Sequence, residues 1–256
     1  MADLDLDAAT ESIWRHWQAG AHYPAQWSRR LEMRQGYLVQ LGILQRLQAA
    51  GERHAGWKVG LTAAAMRAQH NVHEPCFGFL LARDNKPSGH VFRHAELIRP
   101  GFENELCLTM GATLRGPGVT FAQAHAAIAE VAPALEIVEK RGDFSADLPL
   151  TMADNAQQKA FVTGAAQPLG AHDLSAATVR VYVDDALIDQ ASGAEVMGNP
   201  IHSIVWLANK LAEFGRALEA GQRVISGSFT RQYPLDRPAR VRSQFTPFGV
   251  IEAQFA

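Results

Sequence analysis

Three features of the sequence predict a β-rich α+β fold. Apolar residues recur at helical spacing near the N-terminus, over residues 8–20 and 36–50, the second segment carrying Tyr37, Leu38, Leu41, Leu44 and Leu47. From Val91 onward, short β-type runs are separated by Gly, Pro and Asp, the texture of a mostly antiparallel sheet system and not of alternating βαβ units. Residues 178–190, TVRVYVDDALIDQ, alternate apolar and polar on either side of Asp184-Asp185, which predicts a hairpin.

The two N-terminal segments form a helical layer without a chemical motif. Gly56-Trp57-Lys58-Val59-Gly60 reads as a short strand bounded by glycines, and Thr62 is placed to cap an alanine-rich helix from Ala63 to His70. Thr120 and Gln123, at capping-box spacing, open a helix expected to run to Val131; Asn199-Pro200 opens another, from Pro200 to Phe214, stopped by Gly215. Strands are expected at Arg223 to Ser228, Ala239 to Phe245 and Val250 to Phe255. A chain of 256 residues buries a sizeable core, and the expected division is a helical extension over 1–55 and one compact β-rich unit over 56–256.

Charge excludes several function classes. With 24 Lys+Arg against 26 Asp+Glu the net charge is -2, and no basic block is present to track a phosphate backbone or an anionic membrane, so neither nucleic acid nor membrane is an expected partner. The N-terminal MADLDLDAATESIWRHW begins acidic and lacks the basic and apolar regions of a signal peptide, and no run of 18 apolar residues occurs; a soluble cytoplasmic protein is expected. Cys76 and Cys107 lie far apart without partners at metal-ligand spacing, so both are expected to be small packing residues.

The chemistry-bearing pattern is Phe102-Glu103-Asn104-Glu105-Leu106. On a strand, period two places Glu103 and Glu105 on one face, roughly 7 Å apart. Two like charges there repel unless a cation intervenes, and a hard divalent ion takes oxygen ligands while keeping positions open for substrate. Glu136, inside the apolar run Pro133 to Val138, is costly to bury unpaired and wants a partner. On pattern alone a solvated sheet face and a salt bridge from Glu136 to Lys140 or Arg141 stay open as alternatives. HExxH, GxSxG, GxxxxGK[ST] and GxGxxG are absent, and His70, His73 and His202 show no ligand spacing.

Taken in order, Gly56-Trp57-Lys58-Val59-Gly60-Leu61-Thr62, Glu74-Pro75-Cys76-Phe77-Gly78, Glu103-x-Glu105, Gly116-Pro117-Gly118-Val119-Thr120, Pro133-Ala134-Leu135-Glu136, Ala153-Asp154-Asn155-Ala156 and Ser226-Gly227-Ser228 resemble the 2-keto-4-pentenoate hydratase and 4-oxalocrotonate decarboxylase group of the fumarylacetoacetate hydrolase superfamily. The resemblance runs from about residue 50 to the C-terminus. It implies a mixed β-roll or sandwich core, a Mg²⁺ or Mn²⁺ ion on Glu103, Glu105 and Glu136, and a small 2-keto acid substrate. It also implies catalytic roles for Lys58 and Asp154, substrate contacts at Leu61, Asn155 and Ser228, and a homo-oligomer, with a partner lyase as a further associate. Beside a cation, the Lys58 ammonium is expected to have its pKa depressed and to act as general acid and base.

The implied reaction is addition of water to a 2-hydroxypenta-2,4-dienoate-type substrate in aromatic catabolism. The alternatives are decarboxylation of a 4-oxalocrotonate-type acid and a silent subunit that stabilises a partner lyase. Cys76 departs from the family pattern, because hydratases of the group carry an acid there. The stretch Thr230 to Arg242, with Arg231, Tyr233, Arg237 and Arg240, lacks an expected Gly-Asp turn; its arginines are either a solvated face or a site for a second substrate carboxylate. Lys159 stands where a small residue is expected.

Overall fold

The computed structural model describes residues 5–69 and 71–256. Helices α1 (Leu6–Gln18) and α2 (Met33–Ala49) lead into β1 (His54–Gly60), α3 (Ala64–Gln69), β2 (Cys76–Leu81), β3 (Asn85–Pro87), β4 (His90–Phe92) and β5 (Pro100–Met110). Next come α4 (Phe121–Ala127), β6 (Ile128–Glu139), α5 (Leu148–Ala153), β7 (Gln158–Thr163), β8 (Gln167–Pro168), β9 (Thr178–Val183) and β10 (Ala186–Ser192). The chain closes with α6 (Ile201–Ala212), β11 (Arg223–Ile225), β12 (Tyr233–Pro234), β13 (Ala239–Thr246) and β14 (Gly249–Phe255).

Two sheets result. The larger runs β2-β1-β11-β5-β6-β7-β3, with β12 also on β5 and β8 on β6; the smaller runs β10-β9-β13-β14-β4. Pairing is antiparallel except at β1/β11, β3/β7 and β4/β14, in keeping with the antiparallel texture of the sequence. The β9–β10 hairpin turns through Asp184 and Asp185, both at positive φ (48° and 69°), the backbone a two-residue turn requires.

Several boundaries differ from the sequence reading. The Thr120–Gln123 capping box forms, but α4 stops at Ala127, and Ile128 and Val131 instead pair with Met110 and Leu108 of β5. Their β-branched side chains suit a buried sheet better than a helix end. Helix α2 begins earlier, at Met33, because Glu32 and Gln35 make their own capping box. Strand β11 ends at Ile225, since Gly227 turns the chain at φ 108°. Helix α3 is shorter than Ala63 to His70, and His70 lies outside the described residues. Strand β2, CFGFLL, is buried along its whole length and therefore lacks the alternation that marks a half-exposed strand.

One main core holds residues from Ala9 and Ile13 of α1 through Phe255 of β14, so the N-terminal helices pack into the same apolar interior as the sheets. A smaller cluster of Leu80, Cys107, Ala132, Ala134, Phe161 and Ile225 lies on the other face of the large sheet. Cys107 is buried packing, as expected. By strand alternation, Glu103 and Glu105 share a face with Cys107 on β5, and Glu136 shares one with Ala132 and Ala134 on β6. This small apolar cluster is the floor on which the carboxylates stand.

Candidate active site

The β5–β6 register sets Glu103 directly opposite Glu136, while Glu105 faces Ala134. One carboxylate oxygen from each of Glu103, Glu105 and Glu136 falls within 4.8 Å of the other two. Glu105 and Glu136 are fully buried and Glu103 is partly open to a cavity of about 440 Å³. Glu105 Oε2 accepts the Gly227 N–H at 2.7 Å. Glu105 Oε1 and both oxygens of Glu136 have no hydrogen-bond donor among the described residues. Orphaned buried carboxylate oxygens are costly, and a set made only of such oxygens is the donor chemistry of a hard divalent cation.

Lys58, on β1, is the nearby counter-charge. It is 5% exposed, and its Nζ lies 3.5 Å from Glu136 Oε1, an ion pair too loose for hydrogen-bond geometry. Gly78 on β2 makes room for it: a Cβ there would sit 3.2 Å from Lys58 Cε and 2.9 Å from Asn155 Oδ1. Three carboxylates against one ammonium leave the cluster with a formal charge that one divalent cation would cancel. Burial raises the pKa of all three carboxyls, most strongly at Glu105, where Glu136 and Glu103 add repulsion. At Lys58 burial pushes the other way but the carboxylates, Glu136 foremost, overcome it and hold the pKa above its usual value. This is the balance with the carboxylates as its charged neighbours; the depression expected of Lys58 applies beside a cation.

Cys76 lines the same cavity, and burial pushes its thiol up to about 11, so at neutral pH it is neither a thiolate nor a substitute for an ionised acid. Leu61 and Ser228 also line the cavity, the latter tied to β5 by the Asn104 N–H donating to Ser228 Oγ at 3.1 Å. Asp154 and Asn155 stand behind the wall. Asp154 accepts from Arg141 Nε at 2.6 Å and from Trp17 Nε1 at 2.9 Å, and Asn155 donates to Phe79 O and accepts from Phe79 N on β2. The structure thus brings Lys58, Leu61, Ser228 and Glu103 to the cavity, clusters Glu105 and Glu136 with Glu103, and leaves Asp154 and Asn155 outside the lining.

Neither Lys140 nor Arg141 pairs with Glu136: Lys140 lines the cavity, and Arg141 turns to Asp154 and Glu139. Lys159 is half exposed and pairs with Glu139, away from Cys76. Of the C-terminal arginines only Arg231 reaches the cavity, since Arg237 and Arg240 pair with Asp184 and Asp185 of the hairpin turn. The sequence pattern assigns no role to Asn104 or Arg99. Between the two glutamates, Asn104 faces the opposite way, donates to Thr230 Oγ1 at 2.8 Å and accepts from Ser243 Oγ at 2.6 Å. A polar residue at an apolar alternation position was its signal. Arg99, at positive φ just before β5, had none.

No family model matches the chain. It is 34% identical to a 4-oxalocrotonate decarboxylase of a Pseudomonas species over 86% of its own length and 84% of the relative's. The chain belongs to the 2-keto-4-pentenoate hydratase and 4-oxalocrotonate decarboxylase family. Identity is also 34% to a 2-hydroxyhexa-2,4-dienoate hydratase of Comamonas testosteroni, over 86% of this chain and 84% of that one, so both branches of the hydratase–decarboxylase family stand equally near. A solved 4-oxalocrotonate decarboxylase from Pseudomonas putida, complexed with magnesium and adipate, superposes with a TM-score of 0.93 at 30% identity, covering 99% of each chain. The fold of this family member is the fumarylacetoacetate hydrolase superfamily fold that the ordered motifs imply. Among the described residues no helix is long and apolar enough to cross a membrane.

Proposed function

We propose that the protein is a divalent-metal-dependent lyase that adds water to a 2-hydroxypenta-2,4-dienoate-type substrate in aromatic catabolism, with Glu103, Glu105 and Glu136 holding Mg²⁺ or Mn²⁺. The observation that supports this reading is the cluster of three carboxylates, with three oxygens that have no donor among the described residues, behind a cavity that Glu103 lines. When bound, the ion supplies stabilisation of the negative charge that develops on the keto or enol oxygen of a 2-keto acid. Lys58 holds a proton beside Glu136 and is the group placed to exchange it with the substrate carbon chain. Leu61 and Ser228 line the space for the substrate, and Cys76 contributes a neutral thiol to the same cavity.

A second reading, decarboxylation of a 4-oxalocrotonate-type dicarboxylate, is favoured by one observation. Arg99, Lys140 and Arg231 line the cavity and have no carboxylate partner among the described residues, as a second carboxylate on the substrate would require. Incubating the purified protein and Mg²⁺ with both substrates separates the two: hydration of the dienoate is expected, and release of CO₂ from the dicarboxylate without hydration of the dienoate reverses the order. A homo-oligomer and a cytoplasmic location belong to the same reading. Exposed Leu187, Ile188 and Val250 on the smaller sheet offer apolar surface for self-association, which sedimentation of the purified chain checks.

A further inference from the structure

We propose that Arg141 is a positioning residue, whose guanidinium holds Asn155, Ala156 and Gln157 in a left-handed backbone run that forms one wall of the substrate cavity. These three consecutive residues have φ of 57°, 48° and 63°, a conformation that L-residues with a Cβ rarely adopt even singly. Ala156 and Gln157 face the cavity, so the strained run is itself part of the site.

The run closes two turn bonds of its own, from the Gln157 N–H to Asp154 O at 3.4 Å and from the Gln158 N–H to Asn155 O, and it is buried. Arg141, with a side chain 2% exposed, adds side-chain donors at both ends of the run. Its Nη2 donates to Asp154 O at 2.8 Å, and its Nη1 reaches Gln157 O at 3.4 Å and Gln158 O at 3.2 Å, bracketing the run at both ends. Its Nε donates to Asp154 Oδ2 at 2.6 Å, which fixes the guanidinium plane. Asp154 is fixed in turn by Trp17 Nε1, from α1, and by His22 Nδ1 at 3.2 Å. Only a planar fork serves acceptors in these several directions; an ammonium at the same place reaches fewer of them. Asp154 thereby acts on the site through Arg141 and the wall, with no contact to the reacting atoms.

The inference rests on the lyase reading for its kinetic arm alone. In Arg141→Lys, amides of residues 154–158 are expected to exchange with deuterium at least tenfold faster than in wild type, with those of β5 unchanged. The KM for substrate and the Kd for pyruvate in the presence of Mn²⁺ are expected to rise about tenfold, with kcat lowered less and the affinity for Mn²⁺ alone within twofold of wild type. A merely structural role gives a lower melting temperature with wild-type exchange at 154–158 and wild-type KM, and overturns the proposal. If Arg141→Lys does not fold, Asp154→Asn removes the ion pair but leaves the guanidinium and its carbonyl bonds; the same changes at smaller amplitude are expected, and none at all overturns it. A wild-type protein that binds no 2-keto acid sinks the lyase reading, while the exchange comparison still decides the wall.

Discussion

At the scale of single residues, the site is governed by charge that the protein does not cancel. Glu105 has one oxygen tied to the Gly227 N–H and the other without a donor among the described residues, in a fully buried position. A neutral amide of the same shape removes a negative ligand and leaves the packing alone, so Glu105→Gln is expected to retain the fold and lose Mn²⁺ binding by at least a hundredfold, read by titration against the electron paramagnetic signal of the free ion. Unchanged affinity would defeat the three-carboxylate proposal. The E-x-E spacing made Glu103 and Glu105 visible in the sequence, because strand periodicity is a local property. The role of Lys58 as counter-ion to Glu136 was not visible, and the nearer cations Lys140 and Arg141 were the natural candidates; both point elsewhere.

At the scale of elements, the short turn after β11 matters more than its length suggests. Gly227 has φ 108°, its N–H donates to Glu105 Oε2, and a Cβ there would run into the Thr62 side chain. Gly227→Ala therefore combines backbone strain with a collision against the segment that carries Leu61 and Thr62 to the cavity. We expect a loss of about 1–3 kcal/mol of stability in urea denaturation; a variant as stable as wild type would show that the turn relaxes freely. The helix expected over Thr120 to Val131 teaches the complementary lesson. Its start was encoded locally by the capping box, but its end was decided by β5, which recruits Ile128 to Val131 into β6 and so places Glu136 eight residues further along the same strand.

At the scale of the whole molecule, α1 and α2 share the main core with the sheets. Ile13 is 2% exposed there, and Ile13→Ala is expected to cost about 2–5 kcal/mol while unfolding stays a single transition. A separate early transition would instead mark residues 1–55 as an independently melting layer. Global stability should also fall in mild acid through His54. Burial lowers its pKa from 6.5 to about 4, and the neutral ring is held by Gly56 O on Nε2 and by Gln222 Nε2 on Nδ1. The unfolded chain thus binds the proton first, so stability contributed by His54 is complete above pH 6.5 and is lost as pH falls toward 4, by at most about 3 kcal/mol. Urea midpoints of wild type and His54→Gln compared at pH 7.5 and pH 4.5 check this: the variant should lose less on acidification, and equal losses would rule His54 out.

What the sequence by itself determined is the set of locally encoded features and the ordered motifs that mark the family: the β9–β10 turn, the capping box, the shared face of Glu103 and Glu105. Only the tertiary structure decided which distant residues meet. Glu136 reaches Glu103 through the β5–β6 register, Lys58 arrives from β1 across β11, and Arg141 finds Asp154 beyond a loop and a helix. The physical reason is that a side chain's face follows from periodicity along its own strand. Its neighbours across the sheet follow from register and strand order, which the burial of the whole apolar interior fixes together.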